Sequence, residues 1–196
     1  QIGDKFHVIR NMMDAHQSVR IRYRQKELEK RRKAFQDFKL AQHNRLIACE
    51  KTGQKFKAEK FHYKEQRMNT GETLLEILAR SRYLLYKYPG QWNNYQKRRA
   101  DILFDTFPQI NQTYLLCNQF RILMSAINIG KHYLQIDKEL HQWYEDVDKA
   151  DIDEMSNFKS MVESNEDIIR NYFISGETNA IAEAVNSKIQ KLISSN

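Results

Sequence analysis

Apolar residues recur at helical spacing along most of the chain. Between residues 14 and 51 there is no Pro or Gly, and Ile21, Leu28 and Phe35 recur every seven residues with Phe38 on the same side. That pattern predicts one long helix with an apolar seam. Leu74, Leu78, Ser81 and Leu85 predict a second helix, which starts near Thr70, is capped from Thr-Gly-Glu-Thr and is stopped by Pro89-Gly90. Residues 91–107 predict a third, ended near Pro108. Ile110, Tyr114, Cys117, Met124 and Ile127 predict a fourth, closed by Gly130. Two more follow from Ile136, Leu140, Trp143 and Val147, and from Met155, Phe158, Val162, Ile169 and Phe173. "SGET" at 175–178 breaks the chain before a last helix. "KTGQ" at 51–54 reads as a turn, residues 55–70 are polar and basic without a clear period, and Ile2, Phe6, Val8 and Ile9 read as a strand end leading into a helix. The expected fold class is mainly α: a multi-helix bundle with a long N-terminal helix or helical hairpin and at most one short strand.

Composition supports this. The 196 residues contain two prolines and six glycines, too few breakers for a loop-rich fold. The net charge of +7 favours a polyanionic partner. Residues 20–33, "RIRYRQKELEKRRK", hold eight basic and two acidic side chains, and Arg20, Arg24, Lys30 and Arg31 are the candidates for DNA phosphates. "KRR" at 97–99 is a weaker candidate, because Asp101 and Asp105 follow it. Cys49 and Cys117 read as free thiols of a cytoplasmic protein, without metal-ligand spacing. No apolar run approaches the roughly 20 residues that cross a bilayer, so no membrane partner is expected. Neither a Gly-x-Ser-x-Gly elbow nor a phosphate-cradling Gly-x-x-x-x-Gly-Lys loop occurs, and no small-molecule substrate is indicated. Tyr83, Tyr86, Tyr88 and Trp92 are of a type that stacks on unpaired bases, but their helical spacing favours packing.

On the last helix, Asn179, Glu183, Asn186 and Gln190 share one stripe, opposite Ile181, Val185, Ile189 and Leu192. Periodicity alone makes the polar stripe a solvated face. Four segments in order change that reading. "GDKFHVIR" (3–10) resembles an Asp-x-Phe-His segment. "ARSRYLLYKYPGQW" (79–92) resembles a segment built on Arg and Leu-Leu-x-Lys-x-Pro. "PQINQTYLLCNQFRILM" (108–124) resembles a Pro, Tyr, Phe-Arg helix, and "TNAIAEAVNSKIQ" (178–190) resembles Asn-x-x-x-Glu-x-x-Asn-x-Lys-Ile. Together they resemble the C-terminal part of DDE-type insertion-sequence transposases of the ISL-three branch.

The resemblance implies an RNase H-like transposase domain that cuts and joins DNA strands. Asp4 would be its second catalytic and metal-binding carboxylate and Glu183 its third, with Asn179, Asn186 and His7 as positioning or DNA-contact residues. Mg²⁺ or Mn²⁺ would be the cofactor of the intact enzyme, and DNA at transposon ends the partner. Within 1–196, taken as a single helical unit, residues 1–13 would be a strand end and helix entry of the core, 14–174 a helical insertion and 175–196 the glutamate helix. The family's first aspartate and its N-terminal DNA-binding part are not in the chain, so the isolated chain is expected to be inactive and need hold no metal. Two other readings remain: a non-enzymatic basic helical protein that binds nucleic acid, and a helical module that forms a homodimer through the 14–50 helix.

Overall fold

The computed structural model describes residues 5–125, 128–131 and 133–175. Among them are seven α-helices, a short 3-10 turn and no strand; one isolated β-bridge pairs Arg67 with Thr73. The helices are α1 (Lys5–Thr52), α2 (Leu74–Arg80), α3 (Asn94–Thr106), α4 (Pro108–Leu123), α5 (Tyr133–Ala150), α6 (Asp153–Glu163) and α7 (Glu166–Ser175), with the 3-10 turn at Pro89–Gln91. The mainly α expectation therefore holds. Within 1–13 the backbone is helical from Lys5, which is the helix entry expected there; Ile2, where the strand end is expected, lies outside the described residues. Val8, Met12, His16 and Val19 are all buried and lie one turn apart, so a helical stripe outweighs the β preference of Val8 and Ile9.

The described residues fall into two compact units, one within Gln1–Val19 and Phe107–Asn196, the other Arg20–Thr106. This division follows packing, whereas the boundaries at 13/14 and 174/175 are those the resemblance implies.

In the first unit, the start of α1 packs on α4: His16 Nδ1 lies 2.7 Å from Thr113 Oγ1, and Cys117 Sγ lies 4.0 Å from the Met12 carbonyl. α5 packs on α4, α6 and α7. Phe120 sits between Trp143 and Phe158, with ring centroids at 4.7 and 5.3 Å. Trp143 Nε1 donates to the Leu116 carbonyl at 3.0 Å, so the indole is buried without an orphaned donor.

Two helix ends differ from expectation. α4 stops at Leu123, well before Gly130, because the Asn128 amide donates to the carbonyls of Ile122 (2.9 Å) and Leu123 (2.7 Å) and so caps the last turn. Ile127 lies outside the described residues. Gly130, at φ +81°, donates its N–H to the Phe173 carbonyl. The single helix expected over 155–173 is two. Ser164 Oγ donates to the Ser160 carbonyl and Asn165 Nδ2 to the Met161 carbonyl, each at 2.8 Å, which satisfies the end of α6 from side chains.

In the second unit, α1 ends at Gly53, whose φ of +69° lets the Gln54 N–H reach back to the Cys49 carbonyl at 3.0 Å. The chain then runs back along α1 without forming a helix. Arg45 meets Glu59 at 2.6 Å, Phe35 and Phe38 meet Phe61 at 5.0 and 5.4 Å, and Arg31 approaches Glu65 at 3.9 Å. Phe61, Tyr63 and Glu65 are half-buried while His62, Lys64 and Gln66 are exposed. That alternation is the period of extended chain, which is why no helical periodicity is visible there. The inner face of α1 in this unit carries Arg20, Arg24, Leu28, Ala34, Phe38, Gln42 and Leu46. The predicted seam is corrected: Ile21 and Phe35 are 44% and 40% exposed.

α2 begins at Thr73, not Thr70, and is shorter than expected. Thr73 Oγ1 accepts the Glu76 N–H at 3.3 Å while Glu76 accepts the Thr73 N–H at 2.9 Å, a capping box worth about 1 kcal/mol. After Arg80 the chain continues in turns, with Ser81, Leu84 and Leu85 buried. Of the aromatic set expected to pack, Trp92 is half-buried and lies 6.1 Å from the Phe104 ring, Tyr86 and Tyr88 keep about a third of their surface exposed (37% and 36%), and Tyr83 is 71% exposed. α3 starts with a second reciprocal cap, between Asn93 and Gln96, instead of at residue 91.

Candidate nucleic-acid interface

The sequence places eight basic residues within 20–33, and helix geometry decides which of them face outward. Arg20, Arg24 and Arg31 lie on one face, since offsets of four and eleven bring them nearly into line. At Arg20 and Arg24 that face turns inward. Arg20 is buried and donates to the Leu78 carbonyl at 2.7 Å. Burial, reinforced by the nearby Arg82 and Arg24, holds its pKa below the ordinary arginine value. Arg24 is half-buried, with its Nε out of contact with water. The expectation that Arg20 lies along DNA is therefore corrected: it anchors α1 to α2. Arg31 is exposed and only loosely paired with Glu65, and Lys30 is exposed but bonded to Glu27 at 2.6 Å.

The outward face carries cations outside the set expected from the sequence. Lys26, Arg32 and Lys33 are exposed, and Arg22 is half-buried. Arg22, Lys26 and Lys33 follow at offsets of four and seven, which makes a stripe along the helix. Arg22 and Lys26 lie over the Tyr23 ring at 5.4 and 5.3 Å from its centroid, which orders their side chains without neutralising them. They are missed in the sequence because the heptad places the inner stripe on Ile21 and Phe35; the structure places it on Arg20, Arg24 and Leu28, which points these cations outward.

The "KRR" run divides in a similar way. Lys97 and Arg98 are exposed. Arg99 is only 12% exposed and makes two bonds to Glu72, Nε to Oε2 at 3.0 Å and Nη2 to Oε1 at 2.8 Å. Arg80 adds a third bond to Glu72 Oε1 at 2.8 Å. Burial pushes the Glu72 carboxyl upward, but the bonds from Arg99, Arg80 and Tyr95 outweigh it and hold the pKa at about 2. Arg99 and Arg80 thus join α3 to α2 and are structural.

Asp4, Asn179, Glu183 and Asn186 lie outside the described residues. His7 is exposed on the first turns of α1, not at a strand-to-helix junction. Among the described residues no group of three or more His, Cys, Asp or Glu side chains is arranged to hold a metal ion, and no helix is long and apolar enough to cross a membrane. Cys49 and Cys117 are both free, and burial pushes the Cys117 thiol well above its ordinary pKa.

Neither the comparison with curated proteins nor that with solved structures found a match. The comparison with protein families did: the model described as transposase, for the DDE type in the ISL-three branch, matches residues 1–195. With nearly the whole chain matched, this protein belongs to the ISL-three family of transposases.

Proposed function

We propose that the chain supplies two metal-binding carboxylates of a DDE transposase, Asp4 and Glu183, and that the outward cations of α1 hold the DNA on which they act. The observation that carries this reading is the family match over residues 1–195, which takes in both the Asp-x-Phe-His segment and the Asn-x-x-x-Glu-x-x-Asn segment. In this reading residues 1–13 and 175–196 belong to an RNase H-like core, and 14–174 is a helical insertion that carries the DNA-binding face.

Carboxylates suit the task because hard oxygen ligands bind Mg²⁺ or Mn²⁺ and leave room for water and a phosphate oxygen. When bound, a metal pair activates the attacking hydroxyl and stabilises the leaving oxygen at a phosphodiester. Asp4 and Glu183 would hold the ions. Asn179 and Asn186, one turn to either side of Glu183, would orient its carboxylate by hydrogen bonding. Lys26, Arg32 and Lys33 would hold phosphates without reading sequence.

The test is Mn²⁺ binding, followed by titration calorimetry, in a polypeptide that also carries the first aspartate. Asp4→Asn and Glu183→Gln should each weaken Mn²⁺ by about tenfold or more. Unchanged Mn²⁺ affinity in both variants would overturn the assignment.

A further inference from the structure

Between Glu76 and Asp101 the sequence holds six basic residues and no acidic one. Two of the six, Arg80 and Arg99, are bonded to Glu72. The other four are Arg82, Lys97 and Arg98, which are exposed, and the half-buried Lys87. The stretch also carries exposed aromatic rings. The turn that follows α2 buries Ser81, Leu84 and Leu85, which directs Arg82 and Tyr83 outward and leaves about a third of Tyr86 exposed. The Leu85 N–H bonds to the Ser81 carbonyl at 3.1 Å, so the turn has helical pitch, and Tyr83 and Tyr86, three residues apart, share a side. The Arg82 guanidinium lies 5.5 Å from the centroid of the Tyr83 ring. Trp92 Nε1 donates to the Leu84 carbonyl at 3.1 Å, which holds the approach to α3 against this turn. Arg99 and Arg80 on Glu72 brace the corner from its other end.

A rigid corner with outward tyrosines and no carboxylate on its own turn is poorly suited to an apolar protein partner. It is well suited to a polyanion with exposed ring faces. We propose that the α2–α3 corner binds unpaired DNA: bases stack on Tyr83 and Tyr86, and Arg82, Lys97 and Arg98 take the phosphates. Duplex DNA presents no base faces along its length, so the corner engages strand ends or opened segments while the α1 stripe takes the duplex. The inference rests on the reading that the chain works on DNA, and gives that reading a second site with a different DNA form.

The experiment is fluorescence anisotropy on the full chain, with a blunt duplex and with the same duplex carrying a single-stranded tail of about ten nucleotides, within the usual span of such sites. The tail should tighten binding about fivefold or more. Y83A/Y86A should abolish that gain and leave affinity for the blunt duplex unchanged. Y83F/Y86F should keep the gain, because stacking needs the ring and not the hydroxyl. A tailed duplex bound no better than the blunt one would overturn the proposal, and so would a gain that survives Y83A/Y86A or is lost equally in Y83F/Y86F. If the chain binds the blunt duplex in these cases, only the corner is at fault; if it binds neither DNA, the reading beneath it fails as well.

Discussion

Arg99→Ala should destabilise the chain by about 3 kcal/mol, because it strips a buried carboxylate of its best partner. Glu72 is 3% exposed and accepts three bonds from arginines, two of them from Arg99. Arg80 and the Tyr95 hydroxyl remain in the variant, but Arg80 is 54% exposed and Tyr95 carries no charge, so together they compensate poorly for the desolvation of Glu72. Arg99→Lys should recover only part of the loss, since an ammonium cannot span both carboxylate oxygens. Removing both charges together, as in E72M/R99M, should cost less than Arg99→Ala, because no unpaired charge is left inside. Urea unfolding of the four proteins measures the series. The same site fixes an acid dependence. Glu72 is held at about 2 against an ordinary value of 4.5. A depressed carboxyl contributes its stability fully above the unfolded value, so the contribution is complete above pH 4.5 and fades as the pH falls towards 2. Arg99→Ala should flatten that acid limb.

The second large effect belongs to the other unit. Phe120→Ala should cost about 3–5 kcal/mol, the usual range for emptying a fully buried aromatic site. Phe120 has no exposed surface, and its ring meets Phe158 nearly edge-on, at 82°, and Trp143 at 51°. These packed rings tie α4 to α5 and α6 at one point, so neighbouring rings cannot close the gap without moving a helix. The Trp143 fluorescence should shift red as its environment loosens, and the thermal midpoint should fall with it. Phe120→Leu fills most of the volume and should lose much less. A Phe120→Ala variant with unchanged melting would mean that the ring cluster does not hold the unit together.

Much of this architecture can be read from the sequence, and the failures have physical causes. Helices α4 and α5 follow from apolar residues one turn apart, and the structure buries Ile110, Tyr114, Cys117, Ile136, Leu140, Trp143 and Val147 as that spacing demands. Helix ends are less legible. Asn128 stops α4, and Ser164 with Asn165 divides α6 from α7, through side-chain bonds to carbonyls that leave no trace in hydrophobic periodicity. The face of α1 misleads for a different reason. Ile21, Leu28 and Phe35 match a heptad, yet the α2 carbonyl at Leu78 receives Arg20 instead of covering Ile21, and the chain returning through Phe61 lies over both Phe38 and Phe35 and leaves Phe35 40% exposed. A long arginine can be an interior residue when a carbonyl receives it, and composition cannot distinguish that case from a solvated charge. Family membership is legible from four short segments; the two that hold Asp4 and Glu183 lie wholly or partly outside the described residues.

The central claim is that this chain engages DNA through the outward face of α1. The measurement that tests it is the dependence of duplex affinity on salt, for the chain and for K26A/R32A/K33A. Each phosphate that the protein no longer neutralises should lower the slope of log K against log salt by about 0.9, so the triple variant's slope should be lower by about 2.7. Alanine is favourable in a helix, and all three positions are exposed, so the fold should be unaffected. A slope lowered by that amount, with unchanged unfolding, is the predicted result. An identical slope in the two proteins would contradict the claim.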